Sequence, residues 1–271
     1  MKLLILCTQW GLQNITLEDF FSRLTNAGYD GVDTWIPEDP HERKKFVGLL
    51  NEYKLPIVCH QFHAKGTRIK EFCRSFEYYL NLSMECNPLL INSHSGKDYF
   101  TTEEQLKVID VAQEFSVKNN IRIAHETHRG RIGFSPYNAR DLFALRPDMK
   151  ITADFSHWVC VTESYLENSP EILEEAIIRT EHLHARVGHP EAPQVTDPRA
   201  KEWHEATGIF FKWWDKVIEQ KKNKGEQVFT ITPEFGPPPY MVTSPSTGLP
   251  IADQFEINNY MKNELRKRYL E

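Results

Sequence analysis

Ile121-Arg122-Ile123-Ala124-His125-Glu126 and, after a stretch of helical period, Lys150-Ile151-Thr152-Ala153-Asp154-Phe155 decide how this chain folds. Both are short runs of β-branched and aliphatic residues, and both carry a carboxylate near the C-terminal end. Successive side chains on a strand point to opposite faces. Ile121 and Ile123 therefore share one face while Ala124 and Glu126 share the other, and Ile151 and Phe155 oppose Asp154. Outward from this pair the same unit recurs to both ends of the chain. Strand candidates fall at residues 2–8, 31–35, 56–60, 88–93, 121–126, 150–155, 181–187 and 227–234, each followed by a segment with helical period. That alternation is the mark of parallel βα units. Thr16 opens one helix with Glu18 and Asp19 in its first turn, Gly28 stands where its C-terminal cap belongs, and Thr101 with Glu104 reads as a capping box for another.

Eight such units can close into a barrel or lie as an open doubly wound sheet. The first strand runs into Thr8-Gln9-Trp10-Gly11 with no Gly-x-Gly-x-x-Gly and no phosphate loop, which removes the usual reason for an open sheet. Two long proline-rich connections, residues 188–202 and 236–250, follow strands, on the side where barrel enzymes keep their active sites. The expectation is an α/β protein, a single-domain (β/α)8 TIM barrel over residues 1–271.

The 271 residues are 40% hydrophobic and 26% charged, which describes a globular protein with a full-sized core and no disorder signature. No apolar run approaches a bilayer crossing, and Leu3-Leu4-Ile5-Leu6-Cys7 is too short for a signal-peptide core, so a cytoplasmic protein with no membrane partner is expected. A net charge of -6, with no basic block interleaved with aromatics, argues against nucleic acid. Five scattered cysteines without a Cys-x-x-Cys read as reduced core residues. Ile209-Phe210-Phe211-Lys212-Trp213-Trp214 serves either a subunit contact in a homo-oligomer or the barrel wall, and residues 259–271 read as a solvated amphipathic helix.

Of eleven histidines, nine (His60, His63, His94, His125, His128, His157, His182, His184 and His189) lie within or just beyond the C-terminal half of a strand candidate. A structural population would spread over the helices too, so this rim points to a site. In the seventh strand Leu183 and Ala185 face outward and His182, His184 and Arg186 inward. In the eighth, Phe229 and Ile231 face outward and Thr230, Thr232 and Glu234 inward. Four consecutive strands thus aim Glu126, Asp154, His184 and Glu234 at the barrel axis, with His184 preferred over the deeper His182. Three carboxylates so close repel one another unless a cation joins them. Three carboxylate oxygens and one imidazole suit one divalent metal, with Mn²⁺, Mg²⁺ or Co²⁺ ahead of Zn²⁺. The competing account is buried ion pairs to Arg122, Arg129, Arg131 and Arg186.

His125-Glu126-Thr127-His128, Ala153-Asp154-Phe155-Ser156-His157, His182-Leu183-His184-Ala185-Arg186 and Thr232-Pro233-Glu234-Phe235-Gly236 together resemble the sugar phosphate isomerase/epimerase group of the xylose isomerase-like TIM-barrel superfamily. The resemblance runs over nearly the whole chain. It implies that Glu126, Asp154, His184 and Glu234 bind the metal, that His157 binds substrate and that Arg186 contacts substrate oxygens. It also implies a small sugar substrate, with Glu126 and Glu234 as the acid and base that move a proton through an enediolate. His60 and His94 would hold further hydroxyls, and Trp10, Trp35, Phe62 and Trp158 would form an apolar wall. The chain departs from the family at Asp33-Thr34-Trp35, where Gly-Val-Glu is frequent, and at Ala185-Arg186, where a Lys-Asp pair is frequent, so substrate does not transfer by analogy. A metal-dependent lyase or dehydratase acting on a keto-sugar or keto-glycoside is the alternative, with His128, Arg129 and Arg131 assisting a leaving group. An apurinic endonuclease lacks its Asp-x-His here, and a non-catalytic sugar-binding barrel is disfavoured by the intact glutamate pair.

Overall fold

A computed structural model describes residues 1–270. Eight strands, β1 (Lys2–Thr8), β2 (Gly31–Thr34), β3 (Ile57–Gln61), β4 (Leu90–Ser93), β5 (Ile123–Glu126), β6 (Ile151–Ala153), β7 (Thr180–Ala185) and β8 (Val228–Pro233), form a closed barrel in chain order. Every neighbouring pair is parallel, and β1 meets β8 with Leu3 opposite Phe229 and Ile5 opposite Ile231. Closure leaves no unpaired strand edge for another chain to extend.

The helices follow the strands: α1 (Leu17–Asn26), α2 (Pro40–Tyr53), α3 (Ile69–Ser83), α4 (Thr102–Asn119), α5 (Pro136–Leu145), α6 (Phe155–Thr162), α7 (Pro170–Arg179), α8 (His204–Asn223) and α9 (Gln254–Tyr269). Thr16 caps α1 by accepting from the Asp19 amide, and Thr101 with Glu104 closes a reciprocal capping box on α4. Gly28 takes a φ of +76° just past α1, a conformation that costs a residue with a Cβ.

Strand parity sorts the core into two layers. Leu3, Ile5, Cys59, Ile151, Leu183, Phe229 and Ile231 face the helices, where they join one large apolar cluster with Phe20, Phe21, Trp158 and Trp214. Leu4, Leu6, Val58, Leu90 and Ala124 face inward and plug the N-terminal end of the barrel. Apolar side chains fill that end, so the polar inward positions of β2 to β8 collect above it, toward the C-terminal rim.

Several expectations are corrected. β6 stops at Ala153 and Phe155 belongs to α6, because Asp154 turns the chain by capping that helix. The C-terminal helix is not merely solvated: α9 begins at Gln254 and buries Phe255, Ile257, Met261 and Leu265. Its expected last residue, Glu271, lies outside the described residues. Phe210, Trp213 and Trp214 are buried against the barrel, so that apolar segment is spent on the wall. All five cysteines are free, but Cys73 and Cys160 are half-buried. No helix among the described residues is long and apolar enough to cross a membrane.

Candidate active site

The ends of β5 to β8 bring four side chains to one point. Glu126 closes β5, and its Oε2 accepts from Asn92 Nδ2 of β4 at 2.8 Å. Asp154 spends Oδ1 on capping α6, accepting from the Ser156 amide at 3.0 Å, and turns Oδ2 to the axis. His184 Nε2 lies 2.9 Å from Asp33 Oδ2, which leaves Nδ1 2.8 Å from Glu234 Oε2 and 3.5 Å from Glu126 Oε1. Glu126, Asp154, His184 and Glu234 each offer a ligand atom, all within 4.8 Å of one another, and all four residues are buried.

The donor set fits a divalent ion. His184 Nδ1 and Glu126 Oε1 are buried and make no hydrogen bond, although Nδ1 is so close to Glu234. Both atoms belong to the set whose possible ligand atoms lie within 4.8 Å of one another. Ligands about 2.1 Å from a small hard cation sit about 3 Å apart along an octahedral edge, the spacing seen here. Asp33 behind His184 completes the carboxylate–imidazole arrangement that fixes which ring nitrogen faces a metal.

Arg186 is built into the same cluster. Its Nε and Nη2 reach Asp154 Oδ2 at 3.0 and 2.7 Å, and Nη2 also reaches Glu234 Oε2 at 2.8 Å. Of the four arginines weighed as ion-pair partners, Arg186 alone pairs with these carboxylates. Arg122 pairs with Glu181, and neither Arg129 nor Arg131 forms an ion pair among the described residues.

Burial works against every charge here, and the neighbours decide the outcome. Burial pushes Glu126 up, but His94 and His184 hold it well below the usual carboxylate range. Glu234 is likewise lowered, by His184 and Arg186 against burial. Asp154 goes up, because burial and the repulsion of Glu234 and Glu126 exceed the pull of Arg186. Burial would lower His184, yet Glu234, Glu126 and Asp33 hold it well above the ordinary range of an imidazole.

Above the cluster opens a cleft of about 440 Å³, large enough for one small ligand. Trp10, Trp35 and Phe62 supply its apolar wall, with Trp35 edge-on to Phe62 at 5.2 Å and Trp10 edge-on to Tyr240 at 5.1 Å. His60, His94, His128 and His157 form a row with ring centroids 4.4, 4.3 and 3.9 Å apart. Burial lowers His60 to about 4 and drives His128 and His157 well below the ordinary value. These three therefore present neutral hydrogen-bonding groups near neutral pH.

The structure brings His60, His94, Arg186, Trp10 and Trp35 to the cleft wall, as expected. His157 is fully buried behind His128, with both ring nitrogens unpartnered. Trp158 is corrected: it faces the helices and donates Nε1–H to the Gly133 carbonyl at 2.8 Å. His182 lies deeper than His184, hydrogen-bonded at Thr230 Oγ1 (2.7 Å) and Asp33 Oδ2 (3.0 Å). Sequence reading missed Asp33, Asn92 and Tyr240. The signal for Asp33 was there: Val32 and Thr34 flank it on β2, and Val32 faces the helices, so parity sends Asp33 inward.

No family model matches the sequence, and no curated protein does. Solved structures do match over essentially the whole chain. A D-tagatose 3-epimerase-like protein is 16% identical with a TM-score of 0.65, covering 100% of this chain and 97% of that one. A 3-keto-D-glucoside 4-epimerase from E. coli is 13% identical with a TM-score of 0.64, covering 98% and 100%. A probable 3-DHS dehydratase of petrobactin synthesis from Bacillus anthracis is 13% identical with a TM-score of 0.61, covering 98% and 100%. At such identities the likeness is one of fold, and it agrees with the barrel that the strand-end motifs imply.

Proposed function

We propose that this chain is a divalent-metal-dependent isomerase or epimerase of a ketose, a sugar phosphate or a related polyol-derived ketone. The observation that carries the reading is the convergence of Glu126 and Glu234, from strands three apart around the barrel, on one nitrogen of His184 at 3.5 and 2.8 Å. Glu126, Asp154, His184 and Glu234 would hold the ion, with Mn²⁺, Mg²⁺ or Co²⁺ ahead of Zn²⁺, and the ion would supply Lewis-acid polarisation of a carbonyl and its neighbouring hydroxyl.

The chain's own residues do the rest. Glu126, kept ionised, takes the proton from the carbon beside the carbonyl, and the electron pair left behind makes the substrate an enediolate. Glu234, on the other side, first takes up a proton from solvent and delivers it to that carbon, which inverts the centre, while the proton on Glu126 returns to solvent; delivery to the neighbouring carbon moves the carbonyl instead. Arg186 would reach the enediolate oxygens, His60 and the more recessed His157 offer neutral partners for hydroxyls, and His94 stands beside His60. Trp10 and Trp35 cover the apolar edge and exclude water. Structural likeness to sugar epimerases supports this reading.

The test is metal content by elemental analysis, comparing the wild type with a folded Glu126→Gln, Glu234→Gln double variant. The expected result is about one divalent ion per chain, lost in the variant, followed by solvent deuterium uptake into a ketose. A wild type that takes up no ion after soaking with Mn²⁺, Co²⁺, Mg²⁺ or Zn²⁺ overturns the reading. A second reading, a dehydratase or lyase, has one observation in its favour: His128 Nε2 lies 3.5 Å from Tyr240 Oη, and both line the cleft where a leaving group would take up a proton. Product analysis that finds lost water or a cleaved aglycone selects it.

A further inference from the structure

One cation of the cleft stands in no ion pair among the described residues. Arg131, on the loop after β5, lines the cleft, and its Nη1 is buried with no hydrogen-bond partner. It makes no ion pair among the described residues, whereas Arg186 is doubly engaged by Asp154 and Glu234. Lys97, half-buried on the loop after β4, stands beside it and is likewise without an ion pair among the described residues. Asp98 is exposed next to both and pairs with neither.

The two cations are not side by side through slack in the loops. The Ile132 amide donates to the Ser95 carbonyl at 3.0 Å and ties the loops together. Gly96 packs on Ile132 so closely that a Cβ at that position would lie 2.6 Å from Ile132 Cγ2. Lys97 is lowered by burial and then by Arg131, and Arg131 is lowered by burial against the weaker pull of Glu126, Asp98 and Tyr99. Folding has brought two like charges together, partly out of water, with neither in an ion pair among the described residues. That arrangement costs free energy which an anionic ligand would recover. Glu126 and Glu234 line the same cleft and repel an anion, which leaves Arg131 as the group that would hold one.

We propose that Arg131, backed by Lys97, is an oxyanion subsite of the cleft that takes the carboxylate or phosphate of an acidic sugar. A guanidinium fork matches the paired oxygens of either group, and its charge makes those hydrogen bonds strong. The substrate then lies with its enolisable end over Glu126 and Glu234 and its anionic end at Arg131. This assignment rests on the proposed sugar chemistry for the identity of the ligand, while the subsite itself is separable from the metal.

The experiment titrates inorganic phosphate, acetate and glycerol into the wild type, Arg131→Gln, Lys97→Gln and, as a control outside the cleft, Arg140→Gln, an exposed α5 residue paired with Asp141, with metal content measured on each preparation. We expect an anion to bind the wild type while glycerol does not, with the loss about tenfold or more in Arg131→Gln and smaller in Lys97→Gln. Arg140→Gln should bind as the wild type does. Preference for phosphate assigns a phosphate ester, and preference for acetate a sugar acid. An Arg131→Gln variant that binds both anions as the wild type does, or a wild type that binds neither, overturns the subsite. Absence of metal in a wild type that still binds the anion overturns the isomerase reading alone.

Discussion

Asp33 holds the His184 ring in place: Nε2 meets Asp33 Oδ2 at 2.9 Å, and that oxygen also engages His182 Nε2 at 3.0 Å and Thr232 Oγ1 at 2.7 Å. Burial would raise Asp33, yet His184 and His182 keep it far below the usual range, so a full negative charge stands behind the ring. Replacing Asp33 with Asn keeps the shape and removes the charge. We expect Asp33→Asn to weaken metal affinity by about ten- to a hundredfold in chelator competition while the fold survives. Unchanged affinity would show that Asp33 only fills space.

Arg186 neutralises two carboxylates that a metal would also neutralise. Arg186→Met should therefore destabilise the metal-free chain by about 3–5 kcal/mol, since it strands Asp154 and Glu234 in a buried site. Urea unfolding with and without Mn²⁺ checks this: the ion should restore part of the loss. An equal loss in both conditions contradicts a shared role.

Histidine burial sets an acid limit. His125 is buried, with Nδ1 2.6 Å from Ser95 Oγ, and burial lowers it from 6.5 to about 4. The unfolded chain takes up this proton below pH 6.5 and the folded chain only below 4, so the neutral ring's contribution is complete above 6.5. It is lost as pH falls from 6.5 to about 4, by about 3 kcal/mol. Denaturation midpoints at several pH values should show that slope, flattened in His125→Asn. A variant with the wild-type slope would rule His125 out as its source.

Gly236 lets Trp10 approach the end of β8. A Cβ there would fall 2.4 and 2.5 Å from the indole Cη2 and Cζ3, so Gly236→Ala must push the ring into the cleft or shift the loop. The expected cost is about 1–3 kcal/mol, together with a changed near-ultraviolet circular dichroism signal from the displaced indole. An unperturbed spectrum and midpoint would mean that the loop yields freely.

The barrel and its rim were legible because the period of two along each strand separates the Ile151 and Leu183 face from the Asp154 and His184 face without any tertiary information. Asp33 escaped because reading Asp33-Thr34-Trp35 against the frequent Gly-Val-Glu drew attention to the mismatch and not to the parity of Val32. Asn92 and Tyr240 carry no such pattern. Asn92 acquires meaning only when Glu126 lies 2.8 Å from it, and Tyr240 sits in a proline-rich loop with no period at all. Trp158 was misplaced for a related reason: Asp154 ends β6 by capping α6, and helical geometry then sends the indole outward.

Because β8 closes the barrel against β1, and α9 then ties the Phe235 backbone through Asn258 and the Trp10 carbonyl through Gln254, the candidate ligand set draws on residues from 126 to 234 and its frame on residues from 10 to 258. Without β8 the barrel holds three of the four candidate ligand residues and no enclosure for them. Any ion these residues take up would therefore follow closure of the barrel and not precede it.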